Sequence, residues 1–158
     1  MPDLPASALK VQAALEAAGC DSKVVQMPSS TRTAQEAALA CGCEVGQIVK
    51  SLVFVLDPPG DPVLLLVSGA NRVNEAAVGV RLGGLLRKAD AERVARVSGF
   101  AIGGVPPLGH AAPLAVYIDG DLLAYHLVWA AAGTPHCVFP IQPQELVRIT
   151  AAPVLVMT

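Results

Sequence analysis

The chain reads as an α/β protein of the α+β type, a mixed and mainly antiparallel sheet covered by helices. Three observations predict it. Nearly continuous apolar runs, Ser51–Leu56 and Val63–Val67, have the length and branched aliphatic content of buried strands. Between such runs lie stretches with apolar residues at three- and four-residue steps, bounded by cap residues and glycine stops. Turn clusters such as Asp57-Pro58-Pro59-Gly60-Asp61-Pro62 and Asp119-Gly120 place hairpins between neighbouring strands, which makes antiparallel pairing the main mode.

The elements follow in order. Leu4, Ala8, Val11, Leu15 and Ala18 predict a first helix from Leu4 or Ser7 to Ala18, with Gly19 as its stop. Lys23–Met27 is a short strand ended by Pro28, and Ser29–Arg32 a polar loop. Thr33 and Glu36 make a capping box for an alanine-rich second helix that stops at Gly42. These first forty residues show no obvious chemistry and read as a helical layer over the sheet. Lys50–Leu56 and Val63–Val67 form a hairpin. Asn74 caps a helix through Val80, and Asp90 caps another through Val97 with Gly99 as its stop. Arg81–Lys88 between them has no clean period. Leu114–Ile118 is a strand, Asp119-Gly120 its hairpin turn, and Leu123–Ala130 the returning strand. Gly133-Thr134-Pro135-His136 interrupts the chain before a strand at Cys137–Phe139; a helix at Gln142–Arg148 and a strand at Val154–Met157 close it.

Composition bounds the function. The 158 residues suit a single domain, 1–158, without linker or internal repeat. Hydrophobic residues make up 53% but aromatics only 4%, so aliphatic side chains must fill the core. A formal net charge of −2 gives no global basic field, which excludes a protein that grips a long nucleic acid by counterion release. Any nucleic-acid contact is local; Arg81, Arg87, Lys88, Arg93 and Arg96 are the best local group for a polyanion. No signal segment or membrane-spanning run is evident, so the expected location is the cytoplasm. Cys20, Cys41, Cys43 and Cys137 form no secreted-type framework, and Cys41-Gly42-Cys43 lacks a second pair, so neither metal nor cofactor is expected.

Two features stand out. Gly103-Gly104-Val105-Pro106-Pro107-Leu108-Gly109-His110 combines glycines, which let backbone N–H groups approach a ligand, with prolines that stiffen the loop. Lys50 opens a buried strand, where it either snorkels to water or is itself a cation held at a pocket rim to pull on a phosphate or carbonyl oxygen. His110 and His136 lie in loops, whereas His126 falls within an apolar strand and reads as structural. No Ser-His-Asp order, His-Glu-x-x-His helix or Walker pattern occurs. An enzyme here would rely on backbone donors and one lysine.

Lys50-Ser51-Leu52-Val53, Gly69-Ala70-Asn71-Arg72, Gly103-Gly104-Val105-Pro106-Pro107-Leu108-Gly109 and Gly133-Thr134-Pro135 occur in an order and spacing that resembles the YbaK/prolyl-tRNA-synthetase-associated domain. These are free-standing trans-editing aminoacyl-tRNA deacylases. The resemblance covers nearly the whole chain and implies a compact α/β domain with a curved mixed sheet. It further implies hydrolysis of the ester joining a wrong, small amino acid (alanine, cysteine or similar, on tRNA(Pro)) to the tRNA 3′ acceptor end. Lys50, Gly103 and Gly104 would be catalytic. Ser51, Asn71, Arg72, Val105, Pro106, Pro107, Gly109, Gly133 and His136 would bind substrate. Relatives acting on cysteine tend to carry serine-glycine-glycine where this chain has Ala131-Ala132-Gly133, which favours another small residue.

Selection of tRNA would come from direct contacts or from a synthetase or elongation-factor partner. Two rival classes stay open: a catalytically idle domain of this fold that binds tRNA or a synthetase, and a small-molecule-binding domain whose glycine loop holds an anion.

Overall fold

A computed structural model describes residues 4–158. Five α-helices and eight strands follow in the order α1 (Ala6–Ala17), β1 (Val25–Gln26), α2 (Ala34–Cys41), β2 (Ile48–Asp57), β3 (Asp61–Ser68), α3 (Glu75–Leu82), β4 (Leu85–Lys88), α4 (Ala91–Ser98), β5 (Ala115–Asp119), β6 (Val128–Ala131), β7 (Cys137–Ile141), α5 (Pro143–Thr150) and β8 (Val154–Leu155). The helices begin and end where local chemistry dictates. Thr33 and Glu36 complete a capping box on α2, while Asn74 and Asp90 accept from the third backbone N–H of α3 and α4. Gly42, Gly83 and Gly99 close the same three helices in the left-handed conformation that glycine adopts without strain.

The strands form one sheet, ordered β1-β7-β6-β2-β3-β5-β8, with β4 also against β2. It is mixed, as the sequence predicts: β2 pairs antiparallel with β3 and β4, β7 with β1 and β6, while β2–β6, β3–β5 and β5–β8 are parallel. Central β3 explains its own sequence, since both its faces are covered. Leu64 and Leu66 join a core with α1, α4 and α5; Val63, Leu65 and Val67 join a second core beneath α3. The alanines of α2 sit against Ile48 and Trp129, a small-residue face that brings this helix close to the start of β2. Among the described residues, no helix is long and apolar enough to cross a membrane.

Two expectations are corrected. Asp119-Gly120 does not turn a hairpin: Gly120–Ala124 is a 3-10 turn, and β6 crosses to pair with β2 and β7, making its hairpin with β7 instead. The physical reason is that the Asp119 carboxylate is buried and captures backbone N–H groups, including that of Asp121 at 3.0 Å, which bends the chain away. His126 therefore lies outside β6 and is exposed. The unpatterned stretch before Lys88 holds β4, whose alternation is lost because only Leu86 among its four residues is buried.

Candidate active site

The site starts from an interruption in the sheet. Along one edge β2 pairs with β3 from Val49 to Leu56. Its other edge is divided: β6 pairs only at Ile48 and Val49, and β4 takes over from Phe54. Lys50, Ser51 and Leu52 have no strand partner there. Ile48 O accepts from Gly69 N (2.7 Å) on the β3 edge, and Val53 O from Ala89 N (3.3 Å) on the other. Backbone groups alternate along a strand, so those of Ser51 face the open edge. A cavity of about 510 Å³ occupies the gap, within the range of small-ligand sites.

Three loops close over it. Met27 N donates to His136 O (2.7 Å) and Thr31 N to Pro135 O (2.6 Å), which ties the loop before α2 to the 133–136 loop. Gly133 N donates to Gly104 O at 2.8 Å, which ties that loop in turn to 103–109. The two glycine-rich segments singled out in the sequence thus meet. A Cβ on Gly104 would stand 2.8 Å from Gly133 C and 2.9 Å from Thr134 N, both backbone atoms. Gly104→Ala is accordingly expected to force the loops apart and destabilise the chain by ~1–3 kcal/mol, read from its denaturant midpoint.

Lys50 is half-buried on the rim. Its Nζ donates to the Asn71 carbonyl, and the Asn71 carboxamide donates to Asp119 Oδ2 (2.8 Å) and Asp121 Oδ2 (2.7 Å). Asp119, 2% exposed, also accepts from Ser68 N at 3.1 Å and so fixes the turn that holds the lysine. Burial pushes the Lys50 ammonium below its usual 10.5, the neighbouring Arg72 guanidinium pushes it further, and Asp119 partly offsets both.

Two hydroxyls are conspicuous. Among the described residues Thr31 Oγ1, Ser51 Oγ and Arg93 Nε are the buried side-chain polar atoms without a protein partner, and both hydroxyls belong to residues lining this cavity. An orphaned buried hydroxyl costs stability, and these two sit just behind the cavity wall, closed off from the cavity itself.

Of the residues singled out in the sequence, Lys50, Ser51, Lys88, Gly103 and Val105 line the cavity. Gly103, at φ +94°, presents its backbone there beneath the Arg32 side chain. The N–H groups of Gly103 and Val105 have no acceptor among the described residues, whereas Gly104 N already donates to Ala101 O at 3.0 Å. Gly104 therefore joins the loops and does not offer its donor, and the Asn71 amide is likewise occupied. Pro106 and Pro107 are buried behind the loop; Gly109 lies against Ala14, away from the cavity. His136 is exposed, and Arg72 stands on the far face of the gap. His110 Nε2 lies 2.7 Å from Pro106 O and braces the loop; burial holds its pKa below the usual 6.5. Thr31 and Arg32, read from the sequence as plain loop, are cavity walls, as is Trp129.

A family model of the aminoacyl-tRNA editing domain matches residues 28–149, from the loop before α2 through most of α5. The chain belongs to this family. The editing domain is 30% identical over 127 residues to the uncharacterized protein YwhH of Bacillus subtilis (strain 168), covering 80% of each chain. A solved structure described as a candidate trans-editing enzyme for prolyl-tRNA synthetase shares 53% identity, 99% coverage of both chains and a TM-score of 0.93. The hypothetical protein APE2540 superposes on the editing domain with a TM-score of 0.86 at 31% identity, over 93% of this chain and 97% of its own.

Proposed function

We propose that this editing domain acts in trans as an aminoacyl-tRNA deacylase in the cytoplasm, removing a small amino acid such as alanine or cysteine from tRNA(Pro), alone or beside a synthetase. The observation that carries the reading is the convergence of Lys50, the Gly103 backbone, Thr31 and Ser51 on one cavity beside an open strand edge. Likeness to the structure described as a candidate trans-editing enzyme supports the choice of prolyl tRNA.

The chemistry asks little of side chains. An aminoacyl ester is already activated, and water attacks its carbonyl carbon to give a tetrahedral oxyanion. Collapse breaks the bond to the ribose oxygen, which takes a proton, and leaves the free amino acid and a tRNA hydroxyl. Lys50 and the Gly103 N–H face the developing negative charge, the kind of fixed donor worth ~2.7–4 kcal/mol where one has been removed. Neither carboxylate nor histidine lines the cavity among the described residues. The proton acceptor for the attacking water is thus a group of the substrate, the neighbouring ribose hydroxyl or the α-amine.

A turn of the Thr31 and Ser51 side chains about χ1 brings their buried hydroxyls to the aminoacyl group, which restores the bonds that folding leaves unmade. Thr31→Val is expected to trade function for stability: kcat/KM falls by ~10-fold or more while stability rises by ~1 kcal/mol, measured by deacylation kinetics and urea unfolding. The overall reading is tested by a deacylation panel of tRNA(Pro), tRNA(Ala) and tRNA(Cys) charged with small amino acids. Hydrolysis of at least one is expected. Binding of all with hydrolysis of none would instead identify an idle domain.

A further inference from the structure

The gap in the sheet has a second opening. On the face opposite Ser51 lies a cavity of about 370 Å³, floored by the Lys50, Leu52 and Phe54 side chains, with Arg72, Glu75 and Lys88 around it. Lys50, Leu52, Phe54 and Lys88 line both cavities, so the two flank the same unpaired stretch of β2. This second cavity brings three cations and one carboxylate together from four parts of the chain: β2, the turn before α3, the start of α3 and the end of β4.

The other basic groups nearby are engaged. Arg87 pairs with Asp57, Arg96 with Glu92, Arg81 donates to the Val156 and Thr158 carbonyls, and Arg93 to Gly60 O at 2.7 Å. Arg72 and Lys88 have no carboxylate within ion-pair distance among the described residues, and neither does Lys50. Three cations around one carboxylate, none of them in an ion pair, leave a net repulsion that is relieved when an anion sits among them. Burial and the Arg72 charge both act against the Lys50 ammonium, in keeping with a site that awaits one.

We infer that this second cavity is a phosphate subsite, in which Arg72 and Lys88 hold the phosphodiester nearest the ester while Lys50 reaches the ester from the shared gap. The inference rests on the editing reading and adds to it the two residues that engage the nucleotide chain and the face on which they do so. Arg72 supplies a planar fork for two phosphate oxygens, and Lys88 a mobile point charge.

Equilibrium binding of the uncharged trinucleotide CCA, of adenosine and of inorganic phosphate to the full chain tests this without hydrolysis. Both key side chains are exposed, so Arg72→Gln and Lys88→Gln leave the fold intact. Each variant is expected to bind CCA ~10-fold or more weakly and to lose ~0.7 from the salt slope of its log binding constant. The loss for adenosine, which has no phosphate, should be several-fold smaller, and inorganic phosphate should compete with CCA for the unaltered chain. Equal losses for CCA and adenosine, or no loss for either, would overturn the subsite. Binding of phosphate alone, without competition against CCA, would overturn it too, by placing the anion off the nucleotide path. Deacylation read in parallel separates the two ideas. A chain that hydrolyses no charged tRNA yet loses CCA binding in the variants keeps the subsite and sinks the editing reading; an active chain whose variants bind CCA normally does the reverse.

Discussion

Replacing Lys50 with alanine is expected to lower kcat/KM for deacylation by ~100- to 1,000-fold, the range seen when one fixed donor to an oxyanion is lost. The chain should stay folded, because the side chain is half-buried and its one protein bond is to the Asn71 carbonyl. Unfolding by urea should show a change within ~1 kcal/mol, or a slight gain, since burying an ammonium beside Arg72 is unfavourable. Lys50→Arg is the sharper variant. It keeps the charge but replaces one ammonium held on the Asn71 carbonyl with a planar fork of different reach and geometry, so it should recover little of the rate. If alanine at position 50 left every charged tRNA hydrolysed at the original rate, the cation would have no part in the reaction.

The same residue shows how far sequence reading reaches. Lys50 and the 103–109 loop were legible because their signals are local: a charge opening an apolar run, and glycines and prolines packed into eight residues. The helix ends were legible for a like reason, since Thr33, Asn74 and Asp90 cap within three residues of themselves. Thr31 was not. Its hydroxyl matters because it is buried without a partner, and burial without a partner is decided by the 133–136 loop a hundred residues on. Lys88 was legible only as one of five basic residues; its place at the site is set by the pairing of its strand with β2, thirty residues earlier.

Gly104 marks the opposite failure. Glycine at a candidate oxyanion loop invites a donor role, yet its N–H is taken by Ala101, and the residue is needed for close approach to Gly133. Composition shows that a backbone comes close to something; it does not say to what. The Asp119-Gly120 pair misled in a similar way. Such a dipeptide favours a hairpin where the acid faces solvent, but here the acid faces inward and the strand that follows finds β2 and β7 instead.

That inward-facing acid carries the second large expectation. Asp119→Asn should destabilise the chain by ~2–4 kcal/mol, because the carboxylate accepts from Ser68 N, the Asn71 amide and Asp121 N at once. An amide in its place has one oxygen and one NH₂ group. Whichever way it is turned, a donor meets a donor in a buried site. The Asn71 turn then loosens, and with it the carbonyl that positions Lys50. Activity should fall together with stability, and the pH profile distinguishes this cause from simple unfolding. Asp119 is the charge that supports the Lys50 proton against burial and Arg72. Without it the ammonium gives up its proton at lower pH, so the alkaline limb of kcat/KM, already expected below 10.5, should move further down. Asp121→Asn is the control: Asp121 is exposed and shares only the Asn71 amide, so stability should change by no more than ~0.5 kcal/mol. A loss of stability in Asp119→Asn with the alkaline limb unmoved would show that Asp119 supports the fold alone and does not tune the lysine.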